Sequence, residues 1–148
     1  MVPIEQFCKV NRRQNSMTTL EKRTVNPWKW QEERSYSQAV EVKNASGTLY
    51  CSGQAAIDPD GTSSDKDMKS QLEQAIANLE EVIRTADYEC KGIVRLNIYT
   101  TSTKELWPHF PILQEWIAKH NIEQAVTMLE VTGLFETLKV ELEATVVK

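Results

Sequence analysis

Apolar residues recur in two stretches of the chain at spacings of three and four, which is the repeat of an amphipathic helix. The first stretch contains Met68, Leu72, Ala75, Ile76, Leu79, Val82, Ile83 and Ala86. The second contains Leu106, Phe110, Leu113, Trp116 and Ile117. The pattern predicts two helices, the first capped by Ser64 or Asp65, with its polar positions, Gln71 among them, facing solvent. Pro108 suits the first turn of the second helix, and Pro111 lies deeper, where a missing N–H disturbs a turn.

Alternating apolar and polar residues predict half-buried strands around these helices. The predicted strands cover 38–43, 48–54, 93–99, 125–131 and 138–147. Asn44-Ala45-Ser46-Gly47 favours a turn, so the first two strands are predicted to form a hairpin. The order β-β-α-β-α-β-β then predicts an α+β fold with one mixed sheet and two helices on one face.

The last predicted strand has two distinct faces. Leu138, Val140, Leu142, Ala144 and Val146 form its apolar face. Its other face includes Lys139, Glu141 and Glu143. A sheet covered by helices on one side leaves its second face to solvent or to another subunit.

The N-terminal part of the chain is polar and lacks this periodicity. We expect residues 1–27 to form a flexible N-terminal extension with an irregular backbone, and 28–148 to form one domain. Residues 1–16 are expected to lie outside the core, since Met17 begins a segment typical of an ordinary start. Trp28 and Trp30 alternate around Lys29, which predicts a short extended arm that packs on the body or on a neighbouring subunit.

Composition excludes several classes of protein. The chain has 148 residues, 41% of them apolar, and a net charge of −4, which disfavours binding to a phosphate backbone. No apolar run is long enough to span a bilayer. The three cysteines, Cys8, Cys51 and Cys90, form no CxxC pair, which disfavours zinc and disulfides and favours a reducing compartment.

We therefore expect a cytoplasmic protein without a membrane anchor. A mitochondrial address is the alternative, because Arg12, Arg13 and the neighbouring Ser and Thr residues give a patch poor in acidic residues. His109 and His120 have no carboxylate at metal-binding spacing, so no metal site is expected.

Five segments of the sequence, in this order and spacing, resemble the Rid family of reactive intermediate deaminases, also called YjgF-like proteins. They are Tyr36-Ser37-Gln38-Ala39-Val40, Leu49-Tyr50-Cys51-Ser52-Gly53-Gln54, Asp58-Pro59-Asp60-Gly61, Gln74-Ala75 with Asn78-Leu79, and Val140-Glu141-Leu142-Glu143-Ala144. The resemblance covers about residues 35–147. It implies a chorismate-mutase-like fold and a homotrimer, in which the sheets wall an inner barrel and small-molecule ligands bind in clefts between subunits.

The resemblance also implies roles for individual residues. In the deaminase subgroup the clefts bind imines or enamines and hydrolyse them to 2-keto acids and ammonia, without a metal or an organic cofactor. Glu141 matches the glutamate that positions the attacking water, and Tyr36 matches a cleft tyrosine. Ser52 and Gly53 match a segment that lines the cleft, and Met128 matches a position whose backbone contacts ligand.

One position departs from the family pattern. In the family an arginine lies fifteen residues before the first glutamate of the last strand, and here that place holds Val126. Valine cannot bind a carboxylate, so ordinary 2-imino acid deamination is not expected. Arg34 or Arg95 is a candidate substitute cation, although both also fit ordinary surface positions. Phe110 stands at the place of the family's second-helix asparagine in our alignment, across a gap.

Four functional hypotheses remain open. The first is a trimeric protein that binds or hydrolyses a small metabolite other than a simple 2-imino acid. The second is deamination retained through Arg34. The third is a non-catalytic trimer that binds a ligand or a protein partner, with Trp28 and Trp30 as the partner surface. The fourth is ribonuclease or translation-inhibitor activity, for which the chain lacks clustered cations and histidines.

Overall fold

A computed structural model describes residues 18–148 of the chain. The predictions on residues 1–16, including Cys8 and the mitochondrial address, lie outside the described residues. The strands are β1 (Glu21–Val25), β2 (Ala39–Lys43), β3 (Thr48–Ala55), β4 (Ile93–Thr100), β5 (Ala125–Glu130) and β6 (Val140–Val147). The helices are α1 (Met68–Thr85), α2 (Thr103–Leu106) and α3 (Phe110–Lys119).

A mixed four-stranded sheet in the order β3-β6-β4-β5 carries the core on one face. Strand β6 is antiparallel to β3 and β4, and β5 is parallel to β4. On β6, the residues buried in the same apolar cluster as the inward side chains of α1 and α3 are Val140, Leu142, Ala144 and Val146. The predicted α+β, chorismate-mutase-like fold with helices on one face is therefore confirmed.

The opposite face of this sheet has no helix over it in the described structure. We call it the uncovered face, and it presents Tyr50, Tyr99, Leu129, Glu141 and Glu143 among others. It includes large exposed side chains, since Tyr50 is 80% exposed and Leu129 is 50% exposed.

The predicted hairpin of the first two strands is wrong. Strand β2 pairs with β1 from Glu21↔Lys43 to Val25↔Ala39, and β3 pairs with β6. The Ser46 and Gly47 N–H groups donate to the Lys148 carbonyl oxygen, at 2.6 and 3.0 Å, so the turn is bonded to the end of β6. These two hydrogen bonds hold the start of β3 beside β6, and β2 pairs with β1 instead of with β3.

Strand β1 lies in a region for which the sequence predicted an irregular backbone, and that prediction is wrong for 21–25. The segment was missed because three of its five residues are charged, so it shows no apolar alternation. The Arg23 guanidinium donates to Glu41 on β2 at 2.9 Å, which pairs the two strands through charge as well as backbone. The division between extension and domain stays a prediction.

The helices begin at residues that differ from those predicted. Asp67, not Ser64 or Asp65, caps α1, because its Oδ1 accepts the Ser70 N–H at 2.8 Å. The predicted second helix is divided into α2, a 3-10 turn over Trp107–His109, and α3. Pro108 and Pro111 each lie at the start of a new turn, where no N–H is needed.

Gln71 of α1 is fully buried, which corrects its predicted place on the solvated face. Its Nε2 donates to the carbonyl oxygens of Ser64 and Lys66, at 3.2 and 3.0 Å. It also donates to that of Thr137, at 3.2 Å, and its Oε1 accepts the Lys139 N–H at 2.9 Å. One side chain therefore joins α1 to the segments before α1 and before β6.

We expect Gln71→Ala to lower the free energy of unfolding by about 3 kcal/mol, because it removes the part-buried hydrogen bonds of this side chain to four backbone groups and leaves a cavity at a fully buried position. Gln74→Ala is the matched control, since Gln74 lies on the same helix and makes an exposed hydrogen bond to Asp58. The control should change stability by less than about 0.5 kcal/mol. Urea unfolding of both variants measures the difference, and equal losses would contradict the role of Gln71.

Candidate functional site

A pocket of about 330 Å³ opens on the helical side of the sheet, beside β5. Leu96 and Ile98 of β4 pair with Val126 and Met128 of β5, so all four side chains share one face. Phe110, Leu113 and Ile117 of α3 also line the pocket, and polar residues that include Gln38 and Arg95 line it beside them. We call this cavity the Val126 pocket, and its floor is entirely apolar.

The segment before β2 forms the mouth of the pocket. Ser35 has φ 58°, in the left-handed region, and ends the 3-10 turn Glu32–Arg34. Its carbonyl oxygen accepts the Gln124 Nε2 at 2.9 Å, and the Ser37 N–H donates to the Gln124 carbonyl at 2.9 Å. These two bonds hold Tyr36 beside the pocket, which it lines together with Arg34.

Aromatic rings surround the mouth. The Trp30 ring lies edge-on to Tyr36, with 6.3 Å between centroids, and the Arg34 guanidinium carbon lies 5.4 Å from the Trp30 centroid. On the other side, Trp107 stacks on Phe110 at 5.1 Å. Trp30 and Trp107 are 53% and 56% exposed, so a large apolar surface remains open at this mouth.

Glu141 lies on the uncovered face, in register with Tyr99 of β4 and Ala55 of β3. A bulge between Cys51 and Gln54 interrupts the pairing of β3 with β6 close to the Ala55–Glu141 pair. Gly53 lies in the bulge, and a Cβ added there would overlap the Glu141 carboxylate, at 2.6 Å from its Cδ. Glycine therefore provides the space that the carboxylate occupies.

The candidate residues fall into two groups on opposite faces of one sheet. The first is the pocket group, whose four members all line the Val126 pocket: Arg34, Tyr36, Val126 and Met128. Ser52, Gly53 and Glu141 form the second group, on or beside the uncovered face. One copy of the chain does not bring the two groups together.

Arg95, a candidate substitute cation, has its guanidinium bonded elsewhere. It donates to Asn97 Oδ1 at 3.0 Å and to Thr127 Oγ1 at 2.7 Å. Asn97 in turn donates to Glu143 Oε1 at 2.7 Å. Both arginines line the Val126 pocket. The Arg95 guanidinium is engaged by side chains that strand register places on the uncovered face, whereas the Arg34 guanidinium lies against the Trp30 ring.

No pattern in the sequence indicated Trp107 or Gln124 as site residues. By sequence, Trp107 lies near the start of the predicted second helix. The 3-10 turn that interrupts this helix before α3 places Trp107 at the mouth of the Val126 pocket. Gln124 directly precedes a predicted strand, and only the folded chain brings it next to Ser35.

The fold and these two groups define an α+β domain of the chorismate-mutase-like class. Residues 29–148 match the family model described as Endoribonuclease L-PSP. The chain therefore belongs to this family, the Rid or YjgF family, as the sequence predicted. Membership supports a role in small-molecule binding or a deaminase-like role.

Two relatives are similar over most of the domain, and a third over about half of it. A RutC family protein from Aquifex aeolicus is 30% identical over 113 residues, covering 76% of this chain and 88% of the relative. The Rid protein YyfB from Yersinia pestis has 28% identity and a TM-score of 0.76, over 86% of this chain and 98% of that one. The mitochondrial protein mmf2 from Schizosaccharomyces pombe is 38% identical over 66 residues, 45% of this chain and 49% of mmf2.

Within residues 18–148, the helices are too short or too polar to cross a bilayer.

We expect Gly53→Ala to fold and to displace the Glu141 carboxylate, because the added methyl needs the space that the carboxylate occupies. The Glu141 side chain can rotate away, so stability should fall by no more than about 1 kcal/mol. A crystal structure of the variant and a denaturation curve measure the two effects.

Gly133→Ala is the matched control, since nothing lies within 4 Å of a Cβ at Gly133. We expect its Glu141 to keep the wild-type rotamer. An unmoved Glu141 in Gly53→Ala would contradict the close packing of this pair.

Proposed function

We propose that three copies of this chain assemble around shared clefts, and that each cleft binds or hydrolyses a small metabolite other than a simple 2-imino acid. The Val126 pocket of one protomer would face Glu141 of a neighbour. The observation that carries the proposal is the placement of the two groups of site residues on opposite faces of one sheet. A second copy is then needed to complete a cleft.

The uncovered face supports assembly. Tyr50 and Leu129 expose large apolar side chains there, although the face also holds the bonded polar group of Arg95, Asn97 and Glu143. When helices cover only one face of a sheet, the other face either carries polar side chains in contact with water or packs against another subunit. Packing copies against this face would bury Tyr50 and Leu129.

The lining of the Val126 pocket favours a ligand with an apolar body. An imino acid carboxylate is best held by the two parallel hydrogen bonds of a guanidinium, which Val126 cannot supply. Two amide atoms beside the pocket, Gln38 Nε2 and Gln124 Oε1, are buried without a partner among residues 18–148. A ligand with one acceptor and one donor would satisfy both.

Any hydrolysis in this cleft would depend on Glu141. A carboxylate accepts a hydrogen bond from water and can aim its oxygen at the carbon of a C=N bond. Attack by the water oxygen and loss of the nitrogen as ammonia would give a carbonyl product. The rate gain would come mainly from orientation, so it requires a ligand that the pocket holds firmly.

The purified protein should scatter light as a trimer and should hydrolyse 2-aminoacrylate-type imines slowly or not at all. Val126→Arg restores a guanidinium and should raise hydrolysis at least about tenfold, since a bound carboxylate fixes the imine near Glu141. Val126→Leu is the matched control, which changes the side chain without adding charge. A monomer, or rapid hydrolysis by the wild type, would overturn the proposal.

Deamination retained through Arg34 is the second candidate function. Its support is the exposed guanidinium at the mouth of the Val126 pocket, held against the Trp30 ring. Under this hypothesis the wild type hydrolyses imines despite Val126.

If so, Arg34→Met should abolish the activity and leave the trimer intact, because methionine keeps an apolar stem against Trp30 and removes the charge. Arg84→Met is the control, since Arg84 forms an exposed pair with Glu81 on α1. Steady-state kinetics and light scattering test both variants. Unchanged kinetics in Arg34→Met would eliminate this candidate.

The exposed Trp28 and Trp30 favour the non-catalytic alternative, in which an aromatic surface binds a partner. Their rings stack with centroids 6.3 Å apart, and they are 57% and 53% exposed. However, Trp30 also contacts Tyr36 and Arg34. The predicted extended arm is wrong, because the Glu32 N–H donates to the Lys29 carbonyl oxygen at 3.0 Å and turns the chain at Trp30. The two tryptophans and the mouth of the Val126 pocket form one continuous surface, and a partner there would cover the pocket. A cytoplasmic location remains a prediction.

A further inference from the structure

Three side chains with metal-binding donor atoms meet on the helical side of the molecule. They are Glu80 of α1, Cys90 in the turn before β4, and His120 at the end of α3. Their donor atoms all lie within 4.8 Å of one another, and His120 Nε2 is 2.9 Å from Glu80 Oε1. None of the three lines the Val126 pocket.

Neighbouring groups hold two of these side chains in place. The Trp116 Nε1–H donates to Glu80 Oε1 at 2.8 Å. The edge of the Trp116 ring also packs against His120, with the centroids 6.1 Å apart and the planes at 64°. Hydrogen bonds to the ligand side chains are what orient the ligands of natural metal sites.

Cys90 is placed by the backbone. It begins a 3-10 turn that runs to Gly92, where a Cβ would collide with the Val147 carbonyl oxygen of β6. Glycine therefore allows this turn to lie close to the sheet, which puts the buried Cys90 thiol beside Glu80 and His120. A surface cleft lined by all three residues gives an ion access from solvent.

The donor set matches one class of ion. Thiolate sulfur, imidazole nitrogen and carboxylate oxygen are the protein ligands of Zn²⁺, at about 2.0–2.3 Å from the ion. Tetrahedral geometry at those lengths separates ligand atoms by about 3.3–3.7 Å. Binding an ion therefore requires the widest separation, up to 4.8 Å, to contract by about 1 Å, and the 2.9 Å separation of Glu80 and His120 to increase slightly.

We propose that Glu80, Cys90 and His120 bind one divalent ion of the Zn²⁺ class, with water as the fourth ligand. This site could not be predicted from the sequence, because Cys90 lies ten residues after Glu80 and thirty before His120, and the three ligands come from different elements. The ion would join α1, α3 and the start of β4, and so stabilise the helical layer on the sheet.

The same residues do not fit a cysteine nucleophile. Burial, then the nearby Glu80 charge, raises the pKa of Cys90 to about 11, although Lys119 acts in the opposite direction. A neutral thiol is a poor nucleophile. A bound cation reverses this balance, because the thiol loses its proton to solvent as the sulfur coordinates the ion.

Cobalt is the probe, because Co²⁺ replaces Zn²⁺ and shows a near-ultraviolet charge-transfer band when a thiolate coordinates it. We expect chelator-treated, untagged protein to bind one Co²⁺ per chain with this band, and Zn²⁺ to displace it and raise the melting temperature. Absence of the band in the folded protein would overturn the proposal.

Variants identify the ligands. Cys90→Ser should remove the charge-transfer band, and His120→Gln and Glu80→Gln should each weaken Co²⁺ binding at least about tenfold. The matched controls Cys8→Ser and His109→Gln should bind as the wild type does. His120 is only partly buried, so His120→Gln tests the site even if Cys90→Ser fails to fold. Wild-type binding by His120→Gln, or loss of binding in either control, would refute this assignment.

Discussion

The alternation of β6 is the constraint on which the rest of the molecule depends. The helices bury one row of β6 side chains, Val140, Leu142, Ala144 and Val146. Strand pairing then determines on which face of the sheet each paired residue of β3, β4 and β5 lies. Because side chains alternate along a strand, Glu141 must then lie on the uncovered face. The apolar pocket and the carboxylate are thereby separated by the thickness of one sheet.

Much of the fold could be predicted from the sequence because it depends on periodicity. The stripe beginning at Met68 predicted α1 to within one residue, and four of the five predicted strands were found in place as members of the main sheet. The errors concern interactions between distant residues. Local residue spacing does not reveal the hydrogen bonds of Ser46 and Gly47 to Lys148. Nor does it reveal that Gln71 is buried between two loops.

The candidate site was predictable only in part. Resemblance to the family indicated Tyr36, Val126 and Glu141, and the structure shows which of them share a surface. Their separation onto two faces follows from strand pairing, which one strand's pattern does not reveal: Val126 pairs with Leu96, in the buried row, and Glu141 pairs with Tyr99, in the other row. Glu80, Cys90 and His120 show the same limit, since only tertiary packing brings them together.

The two-stranded ribbon of β1 and β2 has a consequence for how a ligand reaches the interior. Within residues 18–148, one β-bridge, between Ser37 just before β2 and Ala125, joins this part of the chain to the main sheet, and Lys22 of β1 donates to the Lys91 carbonyl oxygen. Ribbons of two strands have little stability of their own. Local opening of a protein starts at such weakly attached segments and leaves the cooperative core folded. Arg34 and Tyr36 lie in the segment that connects the two strands of this ribbon, so we expect its local opening to widen the mouth of the Val126 pocket while the four-stranded sheet stays folded.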